Sequence, residues 1–560
     1  MEWMTANFAP LMFGGLLVFL LTGFPVAFAL AATGLSFGVL GLGLGLFPEA
    51  LFQALPLRVF GIMQNDTLLA VPFFTLMGLV LQRSGIAEDL LETVGQVFGP
   101  LRGGLAFAVI IVGALLAATT GVVSAAVISM GLISLPVMLR YGYDRSIATG
   151  VIMASGALAQ IIPPSVVLIV LADQLGRSVG DMYAGALIPG LLLVGLYLLF
   201  IAVVAMVRPK WVPALPLEAR IYGESNGATG HRSLLALLSV ATAAGLAWSA
   251  LHDRILGSAA GSEGAAMGEV LVISITMGAV TAIVLALADR GLGLGLLSRL
   301  SVRVTMMLIP PLTLIFLVLG TIFIGVATPT EAGAMGAVAA LILAMGRRRL
   351  DLKLLREAVE STAELTCFVV FILLGATVFS FTFNAADGHV WVEHLFDKLP
   401  GGQLGFLLAV NLLVFLLGCF IDFFEIAFIV IPILAPVAQK MGIDMIWFGV
   451  IVAMNLQTSY LTPPFGFALF FLRSVAPNTD YTDRVTQRRI PAVTTAQIYK
   501  GSIAFVLLQL AMVGVLLVQP KLVSGDLDQS KKVNVDKLKI EAERGSYPRE
   551  EEDPMKRFRP

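Results

Sequence analysis

Two proline pairs hold most of the chemistry this sequence can offer. "IIPPS" carries Pro163 and Pro164, and "LTPPF" carries Pro463 and Pro464, each inside a long apolar run. Proline has no backbone N–H, so a helix running through such a pair leaves carbonyls without donors. Counting four residues back, the first pair releases the carbonyls of Ala159 and Gln160, and the second those of Ser459 and Tyr460. An unpaired carbonyl in hydrocarbon is costly unless something satisfies it. A hard cation such as Na+ takes oxygen ligands, and the C-terminal end of a half-helix is electronegative. These four carbonyls are therefore the candidate metal ligands. Polar or small residues flank both interruptions: Ser155, Gly156 and Ser165 at the first, Asn455, Gln457, Thr458 and Thr462 at the second. A kink sealed by neighbouring helices explains one such pair equally well. Two pairs at matched positions favour a site.

The surroundings are those of a membrane protein. The 560 residues are 58% hydrophobic and 13% charged, with a mean hydropathy of +0.92. No soluble globular domain needs that balance. Runs long enough to cross ~30 Å of hydrocarbon recur along the chain. A net charge of −1 provides no broad basic face for nucleic acid. Cys367 and Cys419 lie in apolar stretches and read as small hydrophobes rather than a disulfide or a metal pair. There is no HExxH, and His231, His252, His389 and His394 fall in loops or at span edges, which argues against zinc and against an intramembrane enzyme. Glu2 rather than a basic stretch precedes the first apolar run, so that run reads as a retained span.

Cytoplasmic loops are marked by Lys and Arg. Arg83 and Arg102, Arg140 and Arg145, Arg208 to Arg220, Arg290 to Arg303, the block Arg347 to Arg356, and Arg473 to Arg489 alternate with weakly acidic loops at Asp173–Asp181, Asp253–Glu263 and Asp387–Asp397. The path this defines places the N-terminus outside. The stretch 103–139 has basic residues at both ends and "TTGVVS" at its centre. Its halves of ~15 residues are too short to cross. It is expected to be a re-entrant hairpin with Thr119, Thr120, Gly121 and Ser124 at the tip; two tilted spans with a tight outside turn are the alternative. The stretch 404–439 behaves alike, with Asp422 and Glu425 at its centre and an acidic leading flank, so it should open from outside.

The two regions repeat. "PVMLRYGYD" (136–144) and "PVAQKMGID" (436–444) share Pro-Val and Gly-x-Asp, and the proline pairs follow with the same offset of 300 and no gap. An inverted repeat with one hairpin entering from each face is a transporter signature. Half-helix N-termini at the hairpin tips would meet the breaks near the midplane and favour a carboxylate. The expected fold is an all-α polytopic membrane protein, an inverted-repeat transporter with two re-entrant helical hairpins and two Pro-broken transmembrane helices. Its parts are N-terminal scaffold spans (1–101); a first transport repeat (102–207, hairpin 103–139, broken helix 147–172); a linker with an accessory span pair (208–303, spans within 234–288); second-half scaffold spans with a basic arm (304–400, arm 347–360); a second transport repeat (401–475, hairpin 404–439, broken helix 446–472); a loop and last span (476–519); and a charged tail expected to be disordered (520–560).

Two further polar features stand out. "TPTEAG" sets Glu331 at a helix start, where Thr328 or Thr330 can cap; a capping role and a ligand role both stand. Asp422 within an apolar segment points to the permeation route, as a functional acid or as a tip exposed to a water-filled cavity.

Taken together, "PVMLRYGYDRSIATG", "IIPPS", "SVGDMYAGALIPG", "ATPTEAGAMGA" and "GVIVAMNLQTSYLTPPFGFALFF" resemble the large membrane subunit of tripartite ATP-independent periplasmic (TRAP) transporters, the DctM-like family. The resemblance runs from about residue 10 to 475. It implies a Na+-driven elevator in the bacterial inner membrane, a periplasmic solute-binding protein that delivers an organic acid, and a small DctQ-like membrane subunit. It implies no cofactor besides Na+ as coupling ion. The family's tip reads Gly-Ser-x-x-Ala; here Val122 holds the serine position and Ser124 supplies a displaced hydroxyl. The extra spans resemble a longer branch assigned to keto acids, lactate, mannitol or chloroaromatic acids. The alternative function is an autonomous ion-coupled carrier or antiporter without a binding protein.

Overall fold

The computed structural model describes residues 2–221, 230–255, 267–293, 295–397, 399–483 and 485–524. Among these, eleven helices are long and apolar enough to cross a membrane, and the sheet content is one two-stranded ribbon, Tyr481–Thr482 with Arg489–Ile490. The chain is an all-α polytopic membrane protein. The tail expected to be disordered falls almost wholly on 525–560, outside the described residues, as does the acidic loop around Glu263.

Hairpin 1 is Gly104–Thr120 and Val123–Arg140, joined by Gly121 and Val122. Gly121 has φ of +61°, a left-handed conformation that glycine takes without a Cβ penalty. The two ends of the hairpin meet: the Leu105 N–H donates to the Tyr143 hydroxyl at 3.1 Å. Both ends are also held by one linker segment, the Gly103 N–H on the Val212 carbonyl (2.9 Å) and the Asp144 N–H on that of Trp211 (2.8 Å). The tip stops against the interruption of the next helix; a Cβ on Gly121 would sit 3.2 Å from the Val166 nitrogen. This contact is the one a re-entrant hairpin makes when it stops against a broken helix.

Broken helix 1 runs Arg145–Ala157, a 3-10 turn at Leu158–Gln160, and then Val166–Gln174. Hairpin 2 is Gly402–Leu417 and Phe423–Lys440, and its ends meet through Gln403 Nε2 on the Met441 carbonyl (2.7 Å). Broken helix 2 is Met445–Tyr460 and Phe467–Val475. The repeated Gly-x-Asp now has a physical meaning. Gly142 and Gly442, with φ of +81° and +72°, end the hairpin helices. The next N–H reaches back to Met138 or Ala438, as a Schellman cap requires. Asp144 and Asp444 then cap the broken helices, accepting from Ser146 and Ile147 and from Trp447. The motif stops one helix and starts another within three residues.

The cytoplasmic marks converge as the charge rule requires. Arg83 meets Glu357 at 3.1 Å, and Arg347 and Arg349 both meet Asp89 at 3.2 Å. Arg140, at the open end of hairpin 1, binds both carboxylate oxygens of Asp483 in the ribbon loop. Burial would raise the Asp483 carboxyl, but its bonds from Thr486 and Arg140 outweigh that and hold it at about 2.

Helices meet through glycine. The wall helix Leu352–Ala385 lies on Val26–Gly43 so closely that a Cβ on Gly375 would be 2.3 Å from the Ala27 carbonyl oxygen. The last span, Thr495–Val518, lies on broken helix 1 through Gly501 and Gly150, and a Cβ on Gly501 would be 2.1 Å from the Ser146 oxygen. Small residues let backbones approach where no hydrophobic drive separates helix from lipid. The accessory helices His231–Ile255 and Met267–Leu292 pair with each other in the same way, and most of their surface faces outward. Gly501→Ala is expected to cost about 1–3 kcal/mol by overpacking. Gly514→Ala on the same helix, with nothing within 4 Å, should leave stability unchanged or slightly raised. Thermal unfolding of the purified full chain in detergent reads the pair; equal midpoints would contradict the glycine contact.

Candidate functional site

Both hairpin tips and both broken helices open onto one cavity of about 530 Å³. Gly121 to Ser124 come from hairpin 1, and Phe420 to Glu425 from hairpin 2; Val167, Tyr460 and Phe467 come from the broken helices. The wall helix closes it with Leu365 and Phe368. Leu20 and Val26 extend it toward a loop on the cytoplasmic side by the charge rule.

The two tips differ in polarity. Hairpin 2 carries two acids. Asp422 and Glu425 form a capping box around the start of Phe423–Lys440, the Asp422 N–H donating to Glu425 Oε2 at 3.1 Å. The Tyr460 hydroxyl donates to Asp422 Oδ1 and accepts the Phe423 N–H (3.3 Å), so it ties broken helix 2 to the tip. Among the described residues no Lys, Arg or His lines this cavity. Hairpin 1 is bare. Val122 provides no capping side chain to Val123–Arg140, and neither Ser165 nor Gly466 caps Val166–Gln174 or Phe467–Val475. Those helix starts present backbone N–H groups, partly positive by the dipole, and suit an anion. The cavity thus sets uncapped helix starts opposite two carboxyl groups.

The sequence candidates divide accordingly. Gly121, Ser124, Asp422 and Tyr460 line the cavity. Thr119 and Thr120 end their helix, but their side chains lie outside the described ones. Ser155 and Gly156, with Asn455, Thr458 and Ser459, lie in the helices that lead into the breaks, and Ala159, Gln160, Pro163, Pro164 and Ser165, with Thr462, Pro463 and Pro464, lie at the breaks; none of them lines the cavity. Of the four candidate carbonyls, two already have protein donors: Gln160 accepts from Ser165 Oγ (3.0 Å) and Ser459 from the Thr462 N–H (3.1 Å). Two positions i+3 and i+4 from Tyr460 are prolines, so its carbonyl keeps no helical donor, and that of Ala159 loses its i+4 donor. Most hydroxyls turn back on their own helix, Ser155 on Val151 and Thr458 on Met454. Asn455 crosses to the Asn411 carbonyl of hairpin 2 (2.5 Å).

One group lies elsewhere, and its capping reading is the one the structure contains. Thr328, Thr330 and Glu331 do not reach the cavity. Thr328 and Glu331 form a capping box, and Thr330 Oγ1 donates to the Asp66 carbonyl (2.6 Å) at the outer rim, which satisfies all three locally. Among residues not chosen from sequence, Glu425 had a readable signal, the D-x-x-E capping spacing. Leu365 and Phe368 had none, since an ordinary apolar helix supplies them.

The chain matches the family model described as tripartite ATP-independent periplasmic transporter, DctM component, over residues 13–522. It is 27% identical to the C4-dicarboxylate TRAP transporter large permease protein DctM of Pseudomonas aeruginosa, over 77% of this chain and 82% of that one. It is 26% identical to the sialic acid TRAP transporter large permease protein SiaM of Vibrio cholerae (82% and 88%). It is also 26% identical to the isethionate TRAP transporter permease protein DctMQ of Oleidesulfovibrio alaskensis (83% and 60%). The solved Alcanivorax borkumensis YdaH transporter aligns with a TM-score of 0.48 at 17% identity, over 84% of this chain and 88% of that one.

Tyr460→Phe removes the hydroxyl that serves both Asp422 and the Phe423 N–H. Leaving that buried N–H unpaired should cost about 1–3 kcal/mol, while Tyr499→Phe, whose hydroxyl lies at an exposed site, should change stability by less than about 0.5 kcal/mol. Thermal unfolding compares the two; a Tyr460→Phe midpoint equal to that of Tyr499→Phe would refute the tie.

Proposed function

Since the chain belongs to the DctM family of tripartite ATP-independent periplasmic transporters, we propose that it imports an organic acid anion with Na+ across the bacterial inner membrane. It is a permease component rather than an enzyme, and the family implies two partners, a periplasmic binding protein and a small membrane subunit. The substrate is a carboxylate or sulfonate, a class that includes the C4-dicarboxylate, sialic acid and isethionate in the relatives' names. The observation that carries this reading is the polarity of the cavity. Uncapped helix starts on one side favour an anionic headgroup, and Asp422 with Glu425 on the other favours a cation. Each co-substrate lowers the cost of placing the other there, which is the physical root of symport.

For Na+, the donor set is oxygen throughout: the Asp422 carboxylate and the carbonyls that the prolines leave without helical donors, Tyr460 above all. The two repeats, bounded by the hairpins, are the part that moves as an elevator; the glycine-packed wall helix and its neighbour are the part that stays.

The test is reconstitution. The cognate binding protein is first screened by thermal shift against organic acids. Proteoliposomes holding this chain, the small subunit and the loaded binding protein should take up the identified acid only with an inward Na+ gradient. Uptake by this chain alone would replace the tripartite reading with an autonomous carrier. Uptake that ignores Na+ and collapses with a protonophore would replace Na+ by H+.

A further inference from the structure

A second cavity of about 430 Å³ lies on the outer side. The wall helix supplies Thr377, Ser380 and Asn384, whose i, i+3, i+7 spacing sets all three on one face. Arg58 joins them from the helix Leu55–Met63. That helix precedes Ala70–Arg83, whose Arg83 end is cytoplasmic, so Arg58 lies outside. It is the first Lys or Arg in the chain and stands against the usual bias of cations toward the cytoplasm.

The side chains here are unspent. Among the described residues Arg58 is exposed and has no carboxylate partner. Asp173, beside the lining residue Gln174, is committed to Asn65 Nδ2 (2.7 Å) and Gln174 Nε2 (2.9 Å). Thr362 and Thr366 of the wall helix turn their hydroxyls onto carbonyls four residues back. Thr377, Ser380 and Asn384 of the same helix make no side-chain hydrogen bond among the described residues, so their donors face the cavity unpaired. A guanidinium with two hydroxyls and an amide is a donor set for a carboxylate or sulfonate.

The two cavities lie in series along one wall. Leu365 and Phe368 line the inner one, and the next turns of the same helix line the outer one. Between them stand two rings of hairpin 2. Phe424 lines the inner cavity and Phe428 the outer, and their rings stack 6.4 Å apart. We infer that the outer cavity is a first binding site for the anionic group of the substrate, held by Arg58, Thr377, Ser380 and Asn384 one aromatic layer outside the central cavity. This rests on the anion-import reading. The binding protein releases the acid to this site, and passage inward requires the Phe424–Phe428 layer to shift.

The test is made on the full chain in proteoliposomes without any transport step. Ser380→Cys is labelled with the anionic reagent methanethiosulfonate ethylsulfonate or its cationic trimethylammonium counterpart, and modification is followed peptide by peptide by mass spectrometry. The two reagents are compared at this thiol alone, because Cys367 lies within the membrane-spanning helix Leu352–Ala385. The anionic-to-cationic rate ratio at the introduced thiol should fall about fivefold when Arg58→Gln is added and persist in Arg58→Lys. Millimolar succinate, lactate or isethionate should slow the anionic reagent in the Arg58 background only. A ratio that ignores Arg58→Gln, or an absence of protection by all three acids, overturns the site. In the assembled importer, Arg58→Gln should raise KM about tenfold with kcat held, the loss of one charge-assisted hydrogen bond. Anion-selective labelling and protection in a chain that imports nothing would leave the site standing and remove the import reading instead.

Discussion

Every backbone N–H and C=O within hydrocarbon needs a partner, and no water is there to supply one. This fold interrupts four helices at membrane depth and brings the interruptions together. Pro163–Pro164 and Pro463–Pro464 remove donors from their helices, and hairpins 1 and 2 end blindly against the two breaks. Where the chain can satisfy the loose ends itself it does so, with Ser165 on the Gln160 carbonyl and the Tyr460 hydroxyl on the Phe423 N–H. The uncapped start of Val123–Arg140 opens onto the central cavity.

The duplication is close in backbone and divergent in charge. Gly142–Asp144 and Gly442–Asp444 perform the same stop and restart, and the proline pairs fall at the same distance beyond. The tips do not match. Val122 leaves the start of its helix open, and Asp422 with Glu425 closes the other with negative charge. A symmetric pair of open tips would hold two anions, and a pair of acidic tips two cations. One of each is the asymmetry on which the proposed symport rests.

Much of this was legible because the signals are local. The proline pairs and the Gly121 tip act within a few residues, and each predicted an interruption that the structure contains; the repeated Gly-x-Asp was legible only as a repeat, and its stop-and-cap role needed the structure. The wall helix was legible only as a helix. That Leu365 and Phe368 face one cavity while Ser380 faces another depends on which helices pack against it, and no spacing within 352–385 encodes that. Tyr460 shows the same limit. Its carbonyl was readable from the prolines, but its hydroxyl bond to Asp422 joins residues of different elements. "TPTEAG" left two roles open for the opposite reason: an acid at an apolar helix start looks the same in sequence whether it binds a ligand or its own backbone.

The contacts of the wall helix also bear on motion. Against Val26–Gly43 it touches backbone to backbone, with Gly375 on Ala27, Gly34 on Val378, and Thr382 Oγ1 donating to the Gly34 carbonyl at 2.9 Å. Interlocked backbones cannot slide without losing the whole contact. Against hairpin 2 the same helix offers a ring edge, Phe368 to Phe424 at 6.2 Å. Aromatic contacts of this kind are worth about 0.5–1.5 kcal/mol beyond burial and re-form readily with another apolar neighbour. A helix welded on one side and lightly gripped on the other is a rail. If the repeats travel along it as proposed, the order of residues on that rail, Phe368 and then Ser380, is the order in which the tips would meet apolar and then polar scaffold. The hydroxyl-bearing stretch would then serve the outward end of the stroke.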